Sequence, residues 1–122
     1  MKKIIRNSIL ALSLLISGIG FSQDAGNVVL EQTDGQFTVQ ELHLAAGDYV
    51  FEIVNNGVDH EIGFVIAPEG QTDAEHHIKE AYVTAPVQEG SSSQTSVVTL
   101  KPGTYVYFCP LNPTPEYKLI VN

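Results

Sequence analysis

Short runs in which apolar and polar residues alternate make up most of the chain after its first 26 residues. Alternation over residues 49–54, 62–66, 104–108 and 117–121 gives the period of two that is typical of a strand with one buried face. Gly, Pro, Asn and Asp residues separate the runs and supply the turns. The pattern therefore predicts short strands joined by tight connections.

One strand changes its buried face midway. Phe37 and Val39 have one parity, whereas Leu42 and Leu44 have the other. A single strand on one sheet cannot bury both pairs, so the run predicts a β-bulge or a kink where the chain passes between two sheets.

Three further elements complete the expected architecture. Residues 28–30 are predicted to form an edge strand, and residues 97–100 and 104–108 a hairpin around Lys101, Pro102 and Gly103. Residues 72–82 are the one helical candidate, because Thr72 can cap and Glu75 follows three residues later. About seven or eight strands with one short helical insertion predict an all-β fold, a Greek-key two-sheet β-sandwich.

The beginning of the chain has the pattern of a secretory signal peptide. Three basic residues precede the apolar residues 9–19, and Gly20 and Ser22 suit the positions before cleavage. We expect a leader over residues 1–22 and one domain of about 100 residues over 23–122. The apolar run is short for a membrane span, and no cysteine follows it to carry a lipid, so we expect a periplasmic or secreted protein without a membrane anchor.

Charge narrows the choice of partners. Without the leader, three lysines stand against fourteen acidic residues, a net charge of −11. That excess disfavours nucleic acid and anionic lipid as partners. It suits a basic protein partner, although solubility alone explains it equally. We expect a monomer.

The only cysteine, Cys109, ends the strand that carries Tyr105 and Tyr107 on the same parity. An exported protein with one cysteine cannot form an internal disulfide. The thiol is therefore buried and inert, paired with another chain, or a metal ligand. The loop that follows is stiffened by three prolines, Pro110, Pro113 and Pro115.

Three runs, AAGDYVFEIVNNGVDHEIGF, VVTLKPGTYVYFCP and YKLIVN, together resemble the cupredoxins, small blue-copper proteins related to plastocyanin and pseudoazurin. The resemblance implies a copper-binding electron carrier with one copper ion and a redox partner protein. It further implies His60 as the first copper ligand, Cys109 as the thiolate ligand, and Asn56 as a residue that hydrogen-bonds between the two ligand loops.

The chain departs from the family in the loop after Cys109. The family has a second histidine and usually a methionine there, but no histidine follows His77. Asn112 and Glu116 occupy the corresponding region. Three alternatives remain open: copper held with a third ligand from Asn112, Glu116 or solvent; Cu(I) held linearly for storage or delivery; or a metal-free binding or structural module.

The other histidines and enzymatic chemistry receive less support. His43 has the parity opposite to its apolar neighbours, which predicts a solvated side chain. His76 with Glu80, or His77 with Asp73, would make only a weak surface site for a divalent ion. Cys-His nucleophilic catalysis would need an oxyanion hole, and no helix start or glycine-rich loop adjoins Cys109, so we expect no enzyme activity.

Overall fold

The structure is a computed structural model that describes residues 25–122, so the expected leader and the start of the domain at residue 23 lie outside the described residues. The strands are β1 (Gly26–Thr33), β2 (Gln36–Phe37), β3 (Glu41–Leu44), β4 (Gly47–Asn55), β5 (Val65–Pro68), β6 (Ser92–Gln94), β7 (Val98–Leu100), β8 (Gly103–Phe108) and β9 (Tyr117–Val121). None of the helices in the described part is long and apolar enough to cross a membrane.

Two sheets form a sandwich, as the sequence predicts. The first has the order β2-β1-β4-β6, with β7 also paired to β4, and the second has the order β3-β9-β8-β5. The pairs β1–β4 and β3–β9 are parallel. Parallel neighbours need a crossover connection, and between β1 and β4 this connection includes β3 of the second sheet.

The change of face in residues 36–44 is such a crossing. Strand β2 pairs with β1 in the first sheet, whereas β3 pairs with β9 in the second. Phe37 is fully buried, and Leu42 and Leu44 pack against the same core from the opposite sheet. The predicted kink between two sheets is confirmed.

One predicted pairing is wrong. Strand β7 pairs with β4 in the first sheet, while β8 pairs with β5 and β9 in the second, so they form no hairpin. The Lys101-Pro102 turn leads the chain around a corner of the sandwich, and local turn chemistry does not distinguish a corner from a hairpin. Residues 28–30 pair with β4 alone, because β2 reaches only Gln32 and Thr33, so they lie at the edge of the first sheet as predicted.

The predicted helix over residues 72–82 is replaced by two single 3-10 turns, Ala74–His76 and Lys79–Ala81. The backbone between the turns is extended at His77 and Ile78. Ile78 N donates to Ile66 O at 2.9 Å, which holds this segment against β5. A contact to the sheet thus outweighs the local preference for a continuous helix.

Aromatic rings fill the centre of the sandwich. Phe37 meets Tyr107 edge to face with ring centroids 5.1 Å apart, and Phe51 meets Phe64 at 5.5 Å. All four side chains are buried, and such rings bury the largest apolar areas of any residue type. Cys109 belongs to the same buried cluster, so the candidate site is built onto a rigid core.

Candidate functional site

Strand β8 carries Cys109 into the core. Tyr107 and Cys109 are both buried, in agreement with their shared parity. The Tyr107 hydroxyl donates to Val39 O at 2.6 Å, and burial raises the pKa of this phenol to about 12. The strand that positions the thiol is therefore fixed by a buried hydrogen bond as well as by sheet pairing.

The loop after Cys109 folds back onto the cysteine. Cys109 N donates to Thr114 Oγ1 at 3.1 Å, and Thr114 N donates to Cys109 O at 3.3 Å. Inside this closed loop Asn112 N donates to Cys109 Sγ at 3.3 Å. The loop therefore directs a peptide N–H at the sulfur.

A second N–H reaches the sulfur from the loop before β5. Gly63 N donates to Cys109 Sγ at 3.4 Å. Leu111 Cδ1 lies 3.7 Å from the position that a Cβ atom would take on Gly63, so this apolar side chain borders the same place. Leu111 is 56% exposed while Cys109 is only 1% exposed. Two peptide N–H groups are therefore directed at a sulfur that is shielded from water.

The side chain of Asn112 is fully engaged elsewhere. Its Nδ2 donates to Gln32 Oε1 at 3.1 Å and to Thr33 O at 2.9 Å, and its Oδ1 accepts from Gly35 N at 2.7 Å. Asn112 is 2% exposed. The carboxamide that was expected to offer a copper ligand is instead bound to β1 and the turn that follows it.

His60 lies at the surface of the neighbouring loop. Its Nδ1 is 2.9 Å from Glu61 O. A carbonyl oxygen only accepts, so in the neutral ring this contact makes Nδ1 the donor and Nε2 the atom with the lone pair. The residue is exposed, and Nε2 is the ring atom with the electronic character of a ligand.

The contact that holds the His60 loop is made by Asn55, not by Asn56. Asn55 Nδ2 donates to His60 O at 3.0 Å and to Val87 O at 3.2 Å, and Asn55 Oδ1 accepts from Val58 N at 2.9 Å. Asn56 is exposed, and its Nδ2 donates to Glu31 Oε2 at 2.8 Å. Asn55 thus ties the His60 loop to Val87, and among the described residues neither asparagine side chain bonds to the loop after Cys109.

Four acidic side chains in the loops near Cys109 are exposed, namely Asp34, Asp59, Glu61 and Glu116. Gly35, next to Asp34, is bound to Asn112, and Asp59 and Glu61 flank His60. No lysine or arginine lies in residues 56–61 or 110–116. We call these four acidic residues the acidic rim.

The remaining histidines make local contacts. His43 is exposed and pairs with Glu41 at 2.6 Å, which agrees with the solvated position expected for it. The ring nitrogens of His77 lie 2.8 Å from the Tyr82 hydroxyl and 2.9 Å from Thr72 O. The expected pairing of His77 with Asp73 is therefore not formed.

His76 pairs with Asp73 at 2.9 Å and not with Glu80. This hydrogen bond lowers the pKa of Asp73. Within residues 25–122, Asp73, Glu75 and His76 are the one group of three His, Cys, Asp or Glu residues whose ligand atoms all lie within 4.8 Å of one another. Neither Cys109 nor His60 belongs to such a group among these residues.

The sequence contains one signal for the contacts around Cys109, namely the inward parity of a polar residue in β1. In β1, Leu30 and Gln32 share the inward parity, and both are fully buried. A polar residue at a buried strand position requires a partner, which here is Asn112. The positions of Gly63 and Thr114 follow from the tertiary fold and have no comparable signal.

Comparisons with known proteins give a consistent result for the fold. The family model of the cupredoxin-like domain matches residues 7–121. Among solved structures, auracyanin B is 21% identical with a TM-score of 0.62, over 87% of this chain and 95% of that chain. Auracyanin A, a "blue" copper protein from Chloroflexus aurantiacus, is 16% identical with a TM-score of 0.61, over 81% of this chain and 100% of that chain.

Auracyanin from Roseiflexus castenholzii is 14% identical, with a TM-score of 0.60, over 82% of this chain and 99% of that chain. A comparison with curated protein sequences finds no match. At these identities the structural neighbours establish a shared fold, and the ligands of each protein have to be argued from its own residues.

Proposed function

The chain belongs to the cupredoxin-like domain family, and from that premise we propose that it is an exported copper-binding protein of the electron-carrier kind with an atypical site. Cys109 and His60 are the proposed protein ligands. The protein is proposed to act in the periplasm or outside the cell, after loss of residues 1–22, as a monomer without enzymatic activity.

The observation that carries this proposal is the environment of the Cys109 sulfur. The thiol is buried at the end of β8 and accepts two peptide N–H groups, from Gly63 and Asn112. Cysteine binds metal as the thiolate, and N–H donors directed at the sulfur are the kind of contact that orients a metal ligand. A purely structural cysteine in an apolar core has no need of such donors.

The available donors fit copper in part. Thiolate and imidazole both suit Cu(I) and Cu(II), and copper bound there would supply a one-electron redox centre. The Nε2 lone pair of His60 is available, whereas the Asn112 carboxamide is not. We therefore take solvent or Glu116 as the third ligand, and linear Cu(I) binding as the alternative geometry for storage or delivery.

The acidic rim supports a cationic partner. Asp34, Asp59, Glu61 and Glu116 are exposed around the loops that meet at Cys109. A surface of one sign accelerates encounter with a partner of the opposite sign. We propose a basic redox protein as that partner, docking at this end of the sandwich.

A second candidate function, a metal-free binding or structural module, is favoured by a different observation. The buried hydrogen bonds of Asn112 close the loop where the family carries a second histidine. The conformation of this loop is held by its own hydrogen bonds and needs no metal to stabilise it.

Copper retention separates the two functions. The mature protein and Cys109→Ser are each incubated with excess Cu(I) or Cu(II), dialysed, and analysed for metal. About one copper per wild-type chain and none in the variant supports the copper carrier. Equal copper contents in both proteins contradict Cys109 ligation, and no copper in either protein favours the metal-free module.

A further inference from the structure

Two peptide N–H groups that donate to the Cys109 sulfur are joined by a single side chain. Gln32 Nε2 donates to Gly63 O at 2.8 Å, and Gln32 Oε1 accepts from Asn112 Nδ2 at 3.1 Å. Gly63 N and Asn112 N are in turn the donors to Cys109 Sγ. Gln32 thus closes a ring of hydrogen bonds around the thiol.

We propose that Gln32 is a positioning residue for the Cys109 sulfur, acting through Gly63 and Asn112. Its carboxamide donates to one of these residues and accepts from the other. The two loops that carry the N–H donors are far apart in sequence, and apart from Cys109 itself no other side chain among the described residues bonds to both Gly63 and Asn112. Strand β1 therefore sets the direction of both N–H groups.

Gly63 depends on such a support. A glycine lacks the side chain that restricts the backbone of other residues, so its orientation must come from its contacts. The N–H and the carbonyl of Gly63 belong to two successive peptide groups, and the bonds to Cys109 Sγ and to Gln32 together restrain the two dihedral angles between them. Without Gln32, Gly63 would lose one of these two hydrogen bonds.

The burial of this ring of hydrogen bonds supports a role in positioning as well as in packing. Gln32 is 0% exposed and Asn112 is 2% exposed. Two buried carboxamides add less stability than well-packed apolar side chains of the same size, and they are costly when one partner is lost. The presence of these two carboxamides next to Cys109 is explained if they orient the N–H groups that donate to the sulfur.

The proposal deepens the proposed function, since it rests on Cys109 being the copper donor, yet its first test needs no metal. Isotope-labelled, metal-free wild type is compared by NMR with Gln32→Met, which keeps the length of the side chain but removes both hydrogen bonds. We expect the amide protons of Gly63 and Asn112 to shift upfield and to exchange with solvent about tenfold faster.

Thr95→Val is the control. Thr95 is buried, and its hydroxyl accepts from Phe51 N at 3.0 Å, so the variant loses a buried hydrogen bond without touching either ligand loop. We expect reduced stability with unchanged Gly63 and Asn112 signals. If Gln32→Met lowers stability in the same way and leaves both amide signals unchanged, the positioning role is refuted.

A second variant covers the case in which Gln32→Met does not fold. Gln32→Asn keeps a carboxamide but withdraws it by one methylene, so it cannot bond to both partners in place. The same two amide signals should move, and unchanged signals would overturn the proposal. In copper-loaded protein, the thiolate-to-copper band of Gln32→Asn should shift relative to wild type. A wild type that takes up no copper defeats the proposed function while leaving the amide result to stand.

Discussion

The carboxamide of Asn112 donates to the buried Oε1 of Gln32 across 3.1 Å, which ties the loop after Cys109 to strand β1. The same side chain makes two further hydrogen bonds, to Thr33 O and Gly35 N. Asn112 lies in the loop region where the family has its second histidine. The loop is thus organised by a hydrogen-bonded amide, and Asn112 acts on the site through its backbone N–H.

Replacing Asn112 should therefore affect stability first. Asn112→Ala leaves Gln32 Oε1, Thr33 O and Gly35 N without their partner, and we expect the free energy of unfolding to fall by about 2–4 kcal/mol. Asn56→Ala is the matched control, because it removes one exposed hydrogen bond to Glu31 and should cost less than about 0.5 kcal/mol. Chemical denaturation of the two variants measures both values, and equal losses would contradict the role given to Asn112.

The sequence predicts the strands better than their pairing. Alternation identifies β4, β8 and β9, and the switch of parity between Phe37 and Leu42 correctly indicates a crossing between sheets. The Lys101-Pro102 turn predicts a hairpin that does not form, because a hairpin and a sandwich corner have the same local sequence signals. Pairing depends on contacts between distant strands, which periodicity does not encode.

The resemblance to the cupredoxins points to the loops that carry His60 and Cys109, residues 56–61 and 109–116, but it does not give the hydrogen-bond partners within them. Asn55 and Asn56 are adjacent amides, and only the parity of β4 decides that Asn55 is the buried one. The donors to Cys109 are backbone N–H groups, which nearly every residue type has, so the sequence does not identify them.

His60 should matter for copper and His43 should not. Both side chains are exposed, but only His60 lies in the loop that also carries Gly63, whose N–H donates to Cys109 Sγ. We expect His60→Ala to weaken copper affinity by at least about tenfold and His43→Ala to leave it unchanged. Competition with a chelator of known affinity measures both, and equal affinities in the two variants would remove His60 from the ligand set.

Tyr107 makes stability depend on alkaline pH. The folded state raises its pKa from 10.0 to about 12 through burial, so the folded protein binds this proton more tightly than the unfolded chain does. The resulting stability is fully present below about pH 10 and is lost as pH rises towards 12, by about 1.4 kcal/mol for each unit of pKa difference.

Thermal melts between pH 8 and 12 in wild type and Tyr107→Phe test this dependence. The variant should lose the part of the alkaline decline that comes from this phenol, and it should be less stable at neutral pH because Val39 O loses its donor. Tyr105→Phe, which removes a surface bond to Lys101 O, should keep the wild-type decline. Identical pH curves for all three proteins would contradict the assignment to Tyr107.

Cys109→Ser should leave the sandwich folded. The serine hydroxyl can still accept from Gly63 and Asn112, so we expect the free energy of unfolding to change by no more than about 2 kcal/mol. Circular dichroism and denaturation check the fold. Loss of the folded state in this variant would mean that the sulfur is needed for packing and would remove the support that its hydrogen bonds give to a metal role.

The central claim is that the Cys109 sulfur binds copper, and a titration of the purified mature protein followed by visible absorption tests it most directly. We predict a thiolate-to-copper band that saturates at one Cu(II) per chain, bleaches on reduction and is absent in Cys109→Ser. A wild-type protein that stays colourless with Cu(II) and does not compete for Cu(I) with a chelator would contradict the claim.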